Sequence, residues 1–132
     1  MVTLERRTPF LTLNQALVAD AAITGAAGLL SLAGARWLDS FLDLPTALLA
    51  GSGAIMIAYA TALVMLGTRQ RIPATGVRTV IGVNLGWAVA CAFLLFSFWT
   101  DPNALGVAFI LVQIVAVLAF AKLQAMALRA AR

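Results

Sequence analysis

The chain contains no histidine and a single cysteine, Cys91, in 132 residues. Without histidine, haem held by an imidazole and His-based metal centres are excluded. With one cysteine there is no intramolecular disulfide and no paired-thiol chemistry. Charge is scarce too. Asp, Glu, Lys and Arg make up 11% of the residues, against about 25% in a soluble domain. Apart from one aspartate, nothing forms a recognisable catalytic grouping. The chain is therefore expected not to be an enzyme, and to carry no metal and no cofactor.

What remains is overwhelmingly apolar. Hydrophobic residues make up 63% of the chain and the mean hydropathy is +1.01. The formal net charge of +4 would point to nucleic acid in a soluble protein. Here the basic residues cluster at the ends of apolar runs, where they act as topology determinants. The expected partner is the lipid bilayer, with no nucleic acid.

Four apolar runs, 13–34, 45–67, 77–99 and 102–127, are each long enough to cross a ~30 Å hydrocarbon core as a helix. The fold class is all-α, a polytopic membrane protein with four transmembrane helices in an up-down bundle, forming one domain over 1–132. Thr12 and Gln15 make a capping box before the first helix. The stretch 36–44 alternates aromatic, apolar and acidic residues and reads as an interfacial connector, with Trp37 and Phe41 at the membrane surface. Pro45 suits the start of the second helix. A basic loop broken by Pro73 leads to the third, with Thr75 as its cap. Asp101 and Pro102 suit the cap and first residue of the fourth. The first run is too long for the apolar part of a signal peptide and lacks a convincing cleavage site.

Orientation follows from charge. Arg6, Arg7, Arg69, Arg71, Arg78, Lys122, Arg129 and Arg132 fall on one side, and only Arg36 falls on the other, with Asp39, Asp43, Asp101, Trp37 and Trp99. The positive-inside rule puts both termini in the cytoplasm. The expected location is the cell membrane, a multi-pass protein of a bacterial inner membrane.

Asp20 organises the reading. It lies ~12 Å into the hydrocarbon, too deep to snorkel. A carboxylate there costs about 2.5–3.5 kcal/mol on insertion scales, so it must face protein or water. Its helix face is small and weakly polar, with Ala16, Thr24, Ala27, Ser31 and Gly34. Counting along the helices puts Asn84 about 13 Å and Gln113 about 14 Å from the cytoplasmic edge, with Tyr59 roughly 9 Å from it. The expected polar cluster is thus Asp20, Asn84, Gln113, Tyr59 and Thr24, with Trp87 as an aromatic wall. Such a cluster serves either as an interhelical hydrogen-bond layer or as a proton or cation site.

Small residues at helical spacing suggest close packing in lipid. On the second helix the stripe is Ala47, Gly51, Ala54, Ala58 and Thr61. On the third, Gly82 and Gly86 form a GxxxG pair opposite the face carrying Asn84, Ala88 and Cys91. On the fourth, Gly106, Gln113, Phe120 and Gln124 share a stripe.

In size, helix count and an acid in helix 1, the layout resembles the small multidrug-resistance transporters, and more broadly the small four-helix membrane proteins of bacteria, DoxX-like proteins among them. The resemblance is one of architecture, and the transporter family's motifs are not matched. It covers overall architecture alone and carries no residue role over to this chain. The residues themselves suggest a non-catalytic accessory or structural subunit working through helix packing, with a homo-oligomer or another membrane protein as partner. The alternative is a small proton- or cation-coupled transporter or channel with Asp20 as the titrating group.

Overall fold

Helix initiation follows local chemistry at each boundary. Thr12 opens α1 (Leu13–Ala33): its hydroxyl accepts the Gln15 N–H at 3.2 Å, and the Gln15 side chain accepts the Thr12 N–H at 3.1 Å. The structure, a computed structural model, describes residues 12–97 and 100–131. The expectations for Arg6, Arg7, Trp99 and Arg132 therefore lie outside the described residues. Gly34 joins α1 to the short α2 (Ala35–Leu42). Then come α3 (Thr46–Gly67), α4 (Ala74–Phe96) and α5 (Ala104–Ala131). The protein is a polytopic helical membrane protein. Its four long helices, α1, α3, α4 and α5, are long and apolar enough to span a membrane.

Several boundaries differ from expectation. The connector at 36–44 is helical because Ala35, Leu38 and Leu42 recur at helical spacing and are buried on one side. Its outer side carries Trp37 and Phe41, stacked with ring centroids 5.1 Å apart. Asp43 ends the helix in the left-handed region, at φ 54. On α4, Pro73 takes the cap position, so the helix starts at Ala74 and Thr75 caps nothing. On α5, the cap is Asn103 in place of Asp101: its Oδ1 accepts the Gly106 N–H at 2.8 Å. At the far end α5 runs on to Ala131, because Ala, Met, Leu and Arg are all strong helix formers.

The spans form two closely packed hairpins. In the first, α1 lies against α3 with backbones touching. A Cβ built on Gly53 would lie 2.7 Å from the Gly28 carbonyl oxygen and 2.7 Å from the Leu32 nitrogen. One on Gly67 would lie 2.9 Å from the Leu17 Cβ. In the second hairpin α4 packs on α5. The hairpins meet less closely along a seam that side chains fill. Leu17, Leu63, Val77, Val80 and Leu128 close one end of the seam. Leu38, Leu42, Leu49, Cys91 and Ile110 close the other.

The small-residue faces do not pack within the chain. Within the chain, α3 packs through Leu49, Gly53, Met56, Ala60, Leu63 and Gly67. Gly51, Ala54 and Ala58 lie on its exposed face, as do Gly82 and Gly86 on α4. A Cβ on Gly51, Gly82 or Gly86 would meet nothing within 4 Å. The reason is volume. A face of small residues alone cannot fill a core, whereas glycines set between Leu49, Met56 and Leu63 admit α1 while the large residues pack around it.

The ends of the bundle are distinct. At one end the start of α1, residues 70–72 and the end of α5 line a common hollow, and Asn14 donates to the Gly67 carbonyl at 2.7 Å. At the other, Asn103 donates from its side chain to the Phe41 carbonyl at 2.8 Å and from its backbone to the Leu42 carbonyl at 3.2 Å. Gly106 permits that approach, since a Cβ there would collide with the Leu42 carbonyl oxygen.

Candidate functional site

Each spanning helix contributes one polar side chain to a layer inside the seam: Asp20 from α1, Tyr59 from α3, Asn84 from α4 and Gln124 from α5. Asp20 and Gln124 are 0% exposed and Asn84 is 1% exposed. One carboxylate oxygen of Asp20, Oδ2, accepts from Gln124 Nε2 at 2.7 Å and from Asn84 Nδ2 at 3.0 Å. The other, Oδ1, accepts from the Thr24 hydroxyl one turn along α1, at 2.9 Å. Asn84 Nδ2 also donates to Gln124 Oε1 at 3.0 Å. Asn84 Oδ1 lies 3.1 Å from the Tyr59 hydroxyl, which is also 3.2 Å from the Val80 carbonyl. Tyr59 has one proton, so it serves one of these acceptors at a time.

The three groups that touch the Asp20 carboxylate are neutral donors. An ionised carboxyl accepts only, so amide N–H groups and a hydroxyl are the partners it can use. No group of three or more His, Cys, Asp or Glu residues suited to a metal ion occurs among the described residues.

The structure joins Asp20, Asn84 and Tyr59, as their depths lead one to expect, and Thr24 from the Asp20 face of the helix, but not Gln113. The error lies in the length of α5. Depth was counted from the outer edge of a ~30 Å core, whereas a helix of 28 residues is about 42 Å long. Gln124 lies seven residues from Ala131, and Asp20 seven residues from Leu13, so both sit ~10 Å from the same end. Gln113 is eleven residues from Gln124, three turns away on the same face. That shared stripe was the available signal for Gln124. Gln113 pairs instead with Trp87, whose indole N–H donates to its Oε1 at 3.0 Å.

All five expected residues line one cavity of about 190 Å³ in the seam. Asp20, Thr24, Tyr59 and Asn84 mark one edge, and Trp87 and Gln113 another. Between them the walls are apolar, with Ile23, Met56, Val83, Val117 and Phe120. Asp20 backs the cavity without opening onto it, since it has no accessible surface.

No protein-family profile matches the chain, and neither curated proteins nor solved structures match it.

Proposed function

We propose that the protein is a non-catalytic accessory or structural subunit of the bacterial inner membrane, with both termini in the cytoplasm, acting through helix packing. The observation that carries this reading is the pair of small-residue faces left outside the bundle: Ala47, Gly51, Ala54 and Ala58 on α3, and Gly82 and Gly86 on α4. In lipid such faces mark close contact between helices. Their natural occupant is a helix of a second copy or of another membrane protein. Orientation is supported by charge: Arg69, Arg71, Arg78, Lys122 and Arg129 cluster toward the end where α1 starts, and Arg36 lies at the other.

Gly86→Leu and Ala58→Leu test the reading, because neither position is packed inside the chain. Both variants should retain the monomer's thermal stability. They should lose chemical cross-links and co-purifying membrane partners in nanodiscs. Wild-type assembly in both would refute it.

A second reading rests on Asp20, a buried acid bonded only to neutral donors beside a cavity. On it, the chain is a small proton- or cation-coupled transporter or channel in which Asp20 titrates. Reconstituted vesicles carrying a pH gradient should then leak protons with wild-type protein and stay tight with Asp20→Asn. Equal leak in both would remove this reading.

A further inference from the structure

The Trp87–Gln113 pair carries information the polar layer does not. Trp87 N–H is a donor only, so the Gln113 side-chain oxygen must face it. That fixes the amide orientation and turns both N–H groups of Gln113 away from Trp87. Among the described residues, no protein group accepts from them. Gln113 lies nine residues into a membrane-spanning helix, where an N–H without an acceptor is costly. The position calls for an acceptor from outside the chain.

Two spaces meet at this residue. One is the seam cavity of about 190 Å³. The other is an apolar groove of about 740 Å³ between α3, α4 and α5, running toward the α2 end past Leu48, Phe93 and Phe109. Ala47, Gly51 and Gly86 also line it, so a molecule in the groove and a partner helix on those residues compete for part of one face. Ile55, Trp87 and Gln113 line both. A molecule with its head in the cavity and its tail in the groove would pass directly by the free amide.

The walls limit the head. No Lys or Arg lines either space, so a phosphate or carboxylate would go unpaired beside Asp20. A cationic head has no open carboxylate to meet, because Asp20 is inaccessible and holds three donors already. The cavity is also smaller than the ~300 Å³ at which drug-sized pockets begin. We propose that cavity and groove together form one binding site for a neutral membrane-borne amphiphile. Its small head bears a carbonyl that accepts from Gln113 Nε2, and its apolar tail lies in the groove. Quinones and neutral acyl esters both carry that chemistry.

The test uses purified protein in nanodiscs, with decylubiquinone and monodecanoylglycerol as carbonyl probes and decylbenzene as the carbonyl-free control. At least one carbonyl probe should raise the melting temperature saturably, and decylbenzene should not. Which one does so names the source. Gln113→Met keeps the length and removes the donors, so binding should weaken about tenfold, the scale of one hydrogen bond. The wild-type contrast between carbonyl and carbonyl-free probes is an arm independent of how that variant folds. Equal stabilisation by decylbenzene, stabilisation by no probe, or undiminished binding to a folded Gln113→Met protein would each overturn the proposal.

Discussion

Replacing Asp20 by asparagine and by leucine separates the geometry of the polar layer from its charge. Asparagine can place its oxygen where Oδ2 stands, so Asn84 and Gln124 keep their acceptor. Its amide then faces Thr24, whose hydroxyl turns to accept instead of donating. Every bond survives, and the expected loss of stability is under about 1 kcal/mol. Leucine removes the acceptor. Thr24 can turn back to its own helix, one turn away, but one N–H of Asn84 and one of Gln124 are orphaned in a site without accessible surface. At about 1–3 kcal/mol for each stranded donor, the loss is roughly 2–6 kcal/mol. The average of about 0.6 kcal/mol per interhelical bond measured in membranes gives a floor of about 1 kcal/mol for the two interhelical bonds lost. Unfolding in mixed detergent and dodecyl sulfate, followed by circular dichroism, reads the difference. If leucine and asparagine cost the same, or leucine costs nothing, the layer does not hold the seam together as argued.

Gly53→Ala should lose about 1–3 kcal/mol, because its Cβ meets backbone that cannot yield, while Gly86→Ala should stay within about 0.5 kcal/mol; the same unfolding assay reads both. Asn103→Ala removes the cap of α5 and a tie to α2, and should lower stability by about 0.5–2 kcal/mol. In a Cys91→Ala background, Ser40→Cys should react with an impermeant maleimide added to intact cells and Thr68→Cys should not. The reverse pattern would invert the topology.

The spans were legible in the sequence because apolar length is a global property that one slipped boundary does not erase. Asp20, Asn84, Thr24 and Tyr59 were legible because a polar group in hydrocarbon has few places to go. The misplacement of Gln113 shows where such reasoning stops: depth depends on where a helix ends, and nothing in the stretch 125–131 announces an end. Which face of α3 packs inside the chain was hidden for a different reason. Gly51 and Gly53 are two residues apart, and spacing alone does not reveal which of two faces meets α1. The mixture of glycine with large apolar residues marks the face that meets α1.

The division into two hairpins bears on how the chain enters the membrane. The acid belongs to the first hairpin, while two of the three groups that bond to its carboxylate, Asn84 and Gln124, belong to the second. During synthesis Asp20 therefore enters the bilayer with only Thr24, from its own helix, to bond it. Arrival of the second hairpin completes its hydrogen bonding. Closure of the seam and full hydrogen bonding of the acid are thus one event, reached only when both hairpins are in place.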